Sequence, residues 1–283
     1  MERPIVRTAL AVLLFAAAAA GDAAPGRIVC LGPSLAETVF ALGCGARVAG
    51  VDDYAAWPPE VRRLPRVGGV VDPNLERIAA LEPDLLLLAS PVPPVETLAR
   101  REGIAVAVVP METLDGIRRG IREIARRLGC PARGEALVRR IGRELDAVRR
   151  RAPRRGPAVL VQVGRPSGPG LRGLVVASGR TFLGELVSLA GGRNPFETAR
   201  RRYLTPSLER LAASPPDVVL ALEAGAPDPS AERRRLERAW RELLGRRAPR
   251  VIVLTDPVFV VPGPRVAEAA RRLAARLAAG GAP

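Results

Sequence analysis

One fifteen-residue phrase occurs twice in this chain. Pro73-Asn-Leu-Glu-Arg-Ile-Ala-Ala-Leu-Glu-Pro-Asp-Leu-Leu-Leu87 returns as Pro206-Ser-Leu-Glu-Arg-Leu-Ala-Ala-Ser-Pro-Pro-Asp-Val-Val-Leu220, displaced by 133 residues (206 − 73) without a gap. Nine of the positions are identical, and Ile78/Leu211, Leu85/Val218 and Leu86/Val219 keep their apolar character. Chance would give roughly two matches in such a window, so this is an internal repeat. Copies so far apart do not stack as a solenoid. They predict two similar lobes, and ligand sites favour the surface between domains.

The pattern around the repeat says what each lobe is made of. Arg27–Leu31, Arg47–Val51, Leu85–Ala89 and Ala105–Val109 read as buried strands, with helical spacing over Ser34–Leu42 and Leu75–Leu81 between them. The second half does the same. Ala158–Val163, Leu174–Ala177, Val218–Leu222 and Val251–Leu254 read as strands, and Thr181–Ala190, Ser207–Ala213, Ser230–Leu244 and Arg265–Ala278 as helices. Strands alternating with helices imply βαβ units and parallel sheets.

Two helical stretches separate the halves. Leu114, Ile117, Ile121, Ile124 and Leu128 mark the first, which Gly129-Cys130-Pro131 stops. The second runs from about Ala132 to Arg151 with Leu137, Ile141, Leu145 and Val148 on one face, a stiff strut of roughly 28 Å rather than a flexible linker. The expected division is a signal peptide over 1–24, an N-terminal α/β lobe over 25–112, a helical connection over 113–152 and a C-terminal α/β lobe over 153–283. The signal peptide is read from Arg3 and Arg7, the apolar run Ala9–Ala20 and the small-residue pattern at Ala18 and Ala20, with no cysteine near the cleavage region to carry a lipid. An exported, periplasmic protein is expected.

Net charge is +15 and every one of the 44 basic residues is arginine. Such a balance raises nucleic acid as a partner. The arginines, however, lie on helical stretches mixed with Glu, and aromatic content is 3 %, which leaves little to stack on bases. Solvated helix faces are the better reading, and no nucleic-acid partner is expected. The three cysteines, Cys30, Cys44 and Cys130, allow one disulfide with a spare thiol, or three buried free thiols.

The chain contains no histidine. That removes a His-based triad, a His-rich zinc site and a His general base. Hydrolase elbows and phosphate loops are also absent. No catalytic residue and no metal ligand set is assigned. A chelatase-like enzyme on the same scaffold would have only Asp52, Asp53, Asp256 and the cysteines to work with.

Binding residues are sought past the carboxyl ends of strands, where parallel sheets collect ligands. After the first strand, Ser34 and Glu37 read as a capping box whose helix points free N–H groups at the crevice. Tyr54 and Trp57 follow the second strand, Tyr203 precedes the second repeat copy, and Asp256 and Phe259 follow the last strand. Four aromatics in crevice loops of an aromatic-poor chain suit a large, partly apolar ligand. Ser34, Tyr54, Trp57, Tyr203, Asp256 and Phe259 are therefore the candidate ligand-binding residues. Glu76 and Glu209 occupy matching first-turn positions in the two repeat copies, where acids favour the helix dipole and could also meet paired arginines of a partner.

Arg27–Glu37, Gly50–Tyr54 with Pro58-Pro59, Asn74–Ile78, Pro83-Asp84, Ser178–Glu185, Ala190–Asn194, Ser207–Glu209 and Pro262–Arg265 together resemble the periplasmic substrate-binding proteins of ABC importers for cobalamin and iron–siderophores, and among them most the cobalamin-binding members. The resemblance spans nearly the whole mature chain. It implies two Rossmann-like parallel-sheet lobes joined by a single long α-helix, a ligand clamped between them, and small lobe motion. It implies that Glu76 and Glu209 dock on the permease dimer, and that Tyr54 and Tyr203 flank the corrin. The ligand it implies is a large metal chelate, a corrinoid first, with an iron–siderophore or haem as the alternative; no resident cofactor and a monomer are expected. Two stretches depart from the family pattern: Gly69-Val70-Val71 replaces an aromatic before Asn74, and Val258, Val260 and Val261 stand where polar residues are usual. The zinc and manganese relatives use histidine ligands, so this chain is not expected to be one.

Overall fold

The structure, a computed structural model, describes residues 24–164, 166, 170–224 and 227–279. Of the expected signal peptide only Ala24 falls within them. The first sheet holds four parallel strands in the order β2-β1-β3-β4: β1 Ile28–Leu31, β2 Val48–Val51, β3 Leu85–Leu88 and β4 Ala105–Val108. Helices α1 (Pro33–Ala41), α2 (Leu75–Ala80) and α3 (Pro93–Glu102) provide the crossovers. Then α4 (Leu114–Arg127) and α5 (Pro131–Arg151) lead to the second half. Gly129 takes φ +70°, the left-handed turn that lets α4 stop, and Pro131 opens α5 at a position with no N–H to lose. At 21 residues α5 is about 30 Å long.

The second sheet has the order β7-β6-β5-β8-β9, from β5 (Val159–Val163), β6 (Val176–Ala177), β7 (Tyr203–Leu204), β8 (Val218–Leu222) and β9 (Arg250–Leu254). Its helices are α6 (Phe182–Leu189), α7 (Leu208–Ala213), α8 (Pro229–Leu244) and α9 (Val266–Ala278). Here the expectation of a purely parallel sheet is corrected. β5, β8 and β9 are parallel, but β6 pairs antiparallel with both β5 and β7. No helix lies among the described residues between β5 and β6, and a strand that returns without a helical crossover runs antiparallel.

The two repeat copies occupy equivalent places. Asn74 caps α2 by accepting the Arg77 amide at 2.9 Å, and Ser207 caps α7 by accepting the Arg210 amide at 3.2 Å. Ile78 and Leu211 anchor the two helices in their cores at 0 % and 1 % exposure. The phrase then runs into β3 in one lobe and β8 in the other, each parallel to its lobe's first strand.

Both sheets are covered on both faces, and strand alternation sorts the residues. Ile28 and Cys30 face one layer while Val29 and Leu31 face the other; Val218, Leu220 and Leu222 alternate likewise with Val219 and Ala221. One inner core is continuous from β1 and α1 through Ile117, Ile121, Leu137 and Ile141 of α4 and α5 to β5, α6 and α9. The strut is thus packed against both lobes, and bending between them would open apolar surface.

Candidate functional site

The lobes meet at the carboxyl ends of their sheets. Gly32 follows β1 with φ +146°, a conformation that favours glycine, and turns the chain into α1. Gly263 follows β9, and a Cβ added there would stand 3.4 Å from Ser34 Cβ. Farther along the crevice the Phe182 amide donates to the Glu112 carbonyl at 2.7 Å, and Arg202 pairs with the Glu112 carboxylate at 2.9 Å.

The strongest link across the crevice is one that sequence reasoning missed. Arg265, at the start of α9, places both arms of its guanidinium on Glu37 of α1, with Nη2–Oε1 at 2.6 Å and Nε–Oε2 at 3.0 Å. The Glu37 side chain is 3 % exposed and that of Arg265 18 %. Burial drives the Glu37 carboxyl above its ordinary range, and Arg265 offsets this only in part. The Arg265 guanidinium also lies 4.9 Å from the centre of the Trp57 ring, so one side chain joins an N-lobe carboxylate and an N-lobe aromatic to the C-terminal lobe. This corrects the capping-box reading. Gly32, not Ser34, is the N-cap of α1, Ser34 is buried inside the first turn, and Glu37 spends its oxygens on Arg265.

Around that link lies an apolar rim. The exposed large hydrophobic side chains among the described residues are Tyr54, Trp57, Val71, Val108, Tyr203 and Val260. Tyr54 and Trp57 follow β2, Val108 ends β4, Tyr203 begins β7 and Val260 follows β9. Val71 belongs to the loop whose Gly69 abuts Tyr54, a Cβ there lying 3.9 Å from the tyrosine ring. Trp57 thus lies beside the Glu37–Arg265 link and Tyr203 near Glu112, so exposed aromatic surface borders both contacts between the lobes, as a binding surface requires. Partial desolvation and the nearby Glu112 raise the Tyr203 hydroxyl pKa, so it is a neutral donor at ordinary pH.

Two candidates do other work. Phe259 is 1 % exposed and packs in the core, so it is not a rim aromatic. The 3₁₀ turn Pro257–Phe259 rotates it inward and leaves Val260 outside. Asp256 stabilises that turn: its Oδ1 accepts the Val258 amide at 2.9 Å, and its Oδ2 pairs with Arg272. Burial would raise its carboxyl, but the amide and Arg272 outweigh that and hold it below the usual range. Asp52 plays the same part after β2, accepting the Gly32 amide at 3.0 Å and the Tyr54 amide at 2.8 Å while fully buried. It aims Tyr54 outward. Glu76 and Glu209 are exposed and take part in no ion pair among the described residues.

A twin-lobed scaffold with a strut, and an aromatic crevice between the lobes, is the architecture of a two-lobed binding protein. The comparisons make this concrete. Residues 28–256 match the family model for periplasmic binding protein, and the chain belongs to that family, whose members are substrate-binding proteins that deliver ligands to ABC transporter permeases. It is 29 % identical over 92 % of its length to the vitamin B12-binding protein of Pectobacterium carotovorum, covering 91 % of that protein. It is 28 % identical to the vitamin B12-binding protein of Yersinia pseudotuberculosis over 97 % of this chain and 94 % of the other. Among solved structures, the apo periplasmic heme-binding protein of Roseiflexus sp. RS-1 superposes with a TM-score of 0.76 at 30 % identity, covering 89 % of this chain and 97 % of that one. The periplasmic vitamin B12-binding protein of Vibrio cholerae superposes at 0.73 with 24 % identity, over 90 % and 97 %, which speaks for the fold.

Proposed function

We propose that this chain is exported, captures a corrinoid in the crevice as cargo, and passes it as a monomer to an ABC permease dimer. The observation that carries the reading is the apolar rim centred on Tyr54, Trp57, Tyr203 and Val260, set beside cations that are already spent. Arg265 is held by Glu37 and Arg202 by Glu112. A corrinoid presents a broad apolar ring with neutral amide arms, and such a rim accepts it without an unpaired cation. Haem carries two carboxylates, which could draw on Arg265 or Arg202 only by breaking one of those pairs. The names borne by the sequence relatives support the corrinoid.

Haem is the second reading, favoured by the heme-binding protein of Roseiflexus sp. RS-1 at 30 % identity. Isothermal calorimetry with cyanocobalamin and with haemin, run side by side, separates the two. Saturable cyanocobalamin binding at micromolar concentration or below, at least ten-fold tighter than haemin, is the expected result. Binding of haemin alone would replace the corrinoid reading.

Docking on the permease is assigned to Glu76 and Glu209, exposed first-turn carboxylates on matched helices. The double reversal Glu76→Arg/Glu209→Arg is expected to abolish ligand uptake by reconstituted transporter while Kd for the ligand changes less than about two-fold. A comparable loss of affinity would place these carboxylates in the ligand site instead.

A further inference from the structure

The ligand site uses none of the three thiols. Cys30 lies inside β1 and is fully buried. Cys44 precedes the 3₁₀ turn Gly45–Arg47, and Cys130 stands at the N-cap of α5. Their Sγ atoms are 3.9 Å apart, with the residues 4 % and 6 % exposed. Two arginines straddle the pair. Arg133 donates to the Leu42 carbonyl at 2.8 Å on one side, and Arg47 donates to the Leu128 carbonyl at 3.1 Å on the other. Both backbone segments are therefore pinned against each other, and the sulfurs are left facing across the seam. A bonded pair needs the sulfurs to approach by roughly 2 Å more.

We propose that Cys44 and Cys130 form a disulfide in an oxidising compartment, fastening the turn after α1 to the base of the strut. The proposal shares with the functional reading only the assumption of export. The oxidant is a disulfide donor, either a thiol–disulfide oxidase or a small disulfide. One cysteine, as thiolate, attacks the donor and displaces one donor thiolate. The other cysteine, deprotonated in turn, attacks the mixed disulfide and releases the second. The S–S bond of the protein forms, that of the donor breaks, and two electrons and two protons leave with the reduced donor. Because both sulfurs are covered in the folded chain, the exchange accompanies folding or a local opening of the α5 base. The bond closes a separation of 86 positions in sequence, so it restricts the unfolded chain strongly.

Purified chain is refolded from urea with oxidised and reduced glutathione, alkylated in denaturant, and mapped by peptide mass spectrometry. One alkylated cysteine, Cys30, and a linked Cys44–Cys130 peptide are expected. The oxidised protein should melt roughly 5–15 °C above the reduced one. Cys44→Ser/Cys130→Ser should melt independently of redox state, whereas Cys30→Ser should keep the difference. Three alkylated cysteines after oxidative refolding, or any linkage through Cys30, would overturn the proposal. Because oxidation is performed on purified chain, a failure of export cannot be mistaken for a failure of pairing.

Discussion

Arg265→Ala is expected to be the most damaging single change at the crevice, costing about 3–5 kcal/mol of stability as the Glu37 carboxylate loses its buried partner. The two side chains are 228 positions apart in sequence and belong to different lobes, so the loss falls on lobe–lobe contact. Urea unfolding at pH 7 measures it; a change below about 1 kcal/mol would show that the pair does not hold the lobes together. Glu37→Gln should behave differently. Burial raises the Glu37 carboxyl above the ordinary 4.5, so the folded chain holds that proton more tightly than the unfolded chain. The contribution from this group is therefore fully present below the unfolded value and disappears as pH rises through the folded one. Glu37→Gln keeps a neutral hydrogen-bonding side chain at every pH. It should flatten the decline of stability across the window above 4.5, yet still cost stability at pH 7, because the mostly buried Arg265 guanidinium loses its carboxylate partner.

The second large effect is on affinity. Tyr54 and Trp57 are 70 % and 47 % exposed and hold no core, so removing them should leave the fold intact. Tyr54→Ala/Trp57→Ala is expected to weaken corrinoid binding by roughly 100-fold, at about 1–2 kcal/mol per aromatic contact. Calorimetry reads this directly, and the control is a melting temperature lowered only by the small loss of the Arg265–Trp57 contact. Phe259→Ala should do the reverse, costing about 3–5 kcal/mol of stability while the folded fraction binds almost normally, because that ring lies in the core. If Phe259→Ala lowered affinity as much as the double change at the rim, the division between rim and core would be wrong.

The parts legible in the sequence are those governed by short-range pattern. The repeat announced matched capped helices leading into matched central strands because local hydrogen-bonding residues and apolar spacing survive in both copies. Tyr54 and Trp57 could be read as exposed loop aromatics because they follow β2 directly, whereas Tyr203, read as a loop residue, opens the short edge strand β7. The edge of the second sheet was misread because the period of Leu174–Ala177 does not encode strand direction; that is decided by the missing helical crossover. Phe259 was misplaced because a three-residue 3₁₀ turn reverses which side chain faces inward. The pair Glu37–Arg265 joins residues from opposite ends of the chain. Both residues lie in stretches that carry the family resemblance, Arg27–Glu37 and Pro262–Arg265, but nothing in either stretch says that they meet. The thiols left two readings open for the same reason, since spacing alone says nothing about which sulfurs meet.

A crystal structure of the protein grown with cyanocobalamin tests the central claim most directly. The corrin ring should lie between the two sheet ends, with Tyr54 and Trp57 on one side and Tyr203 and Val260 on the other. Ligand density anywhere outside that gap, with those four side chains still facing solvent, would contradict it.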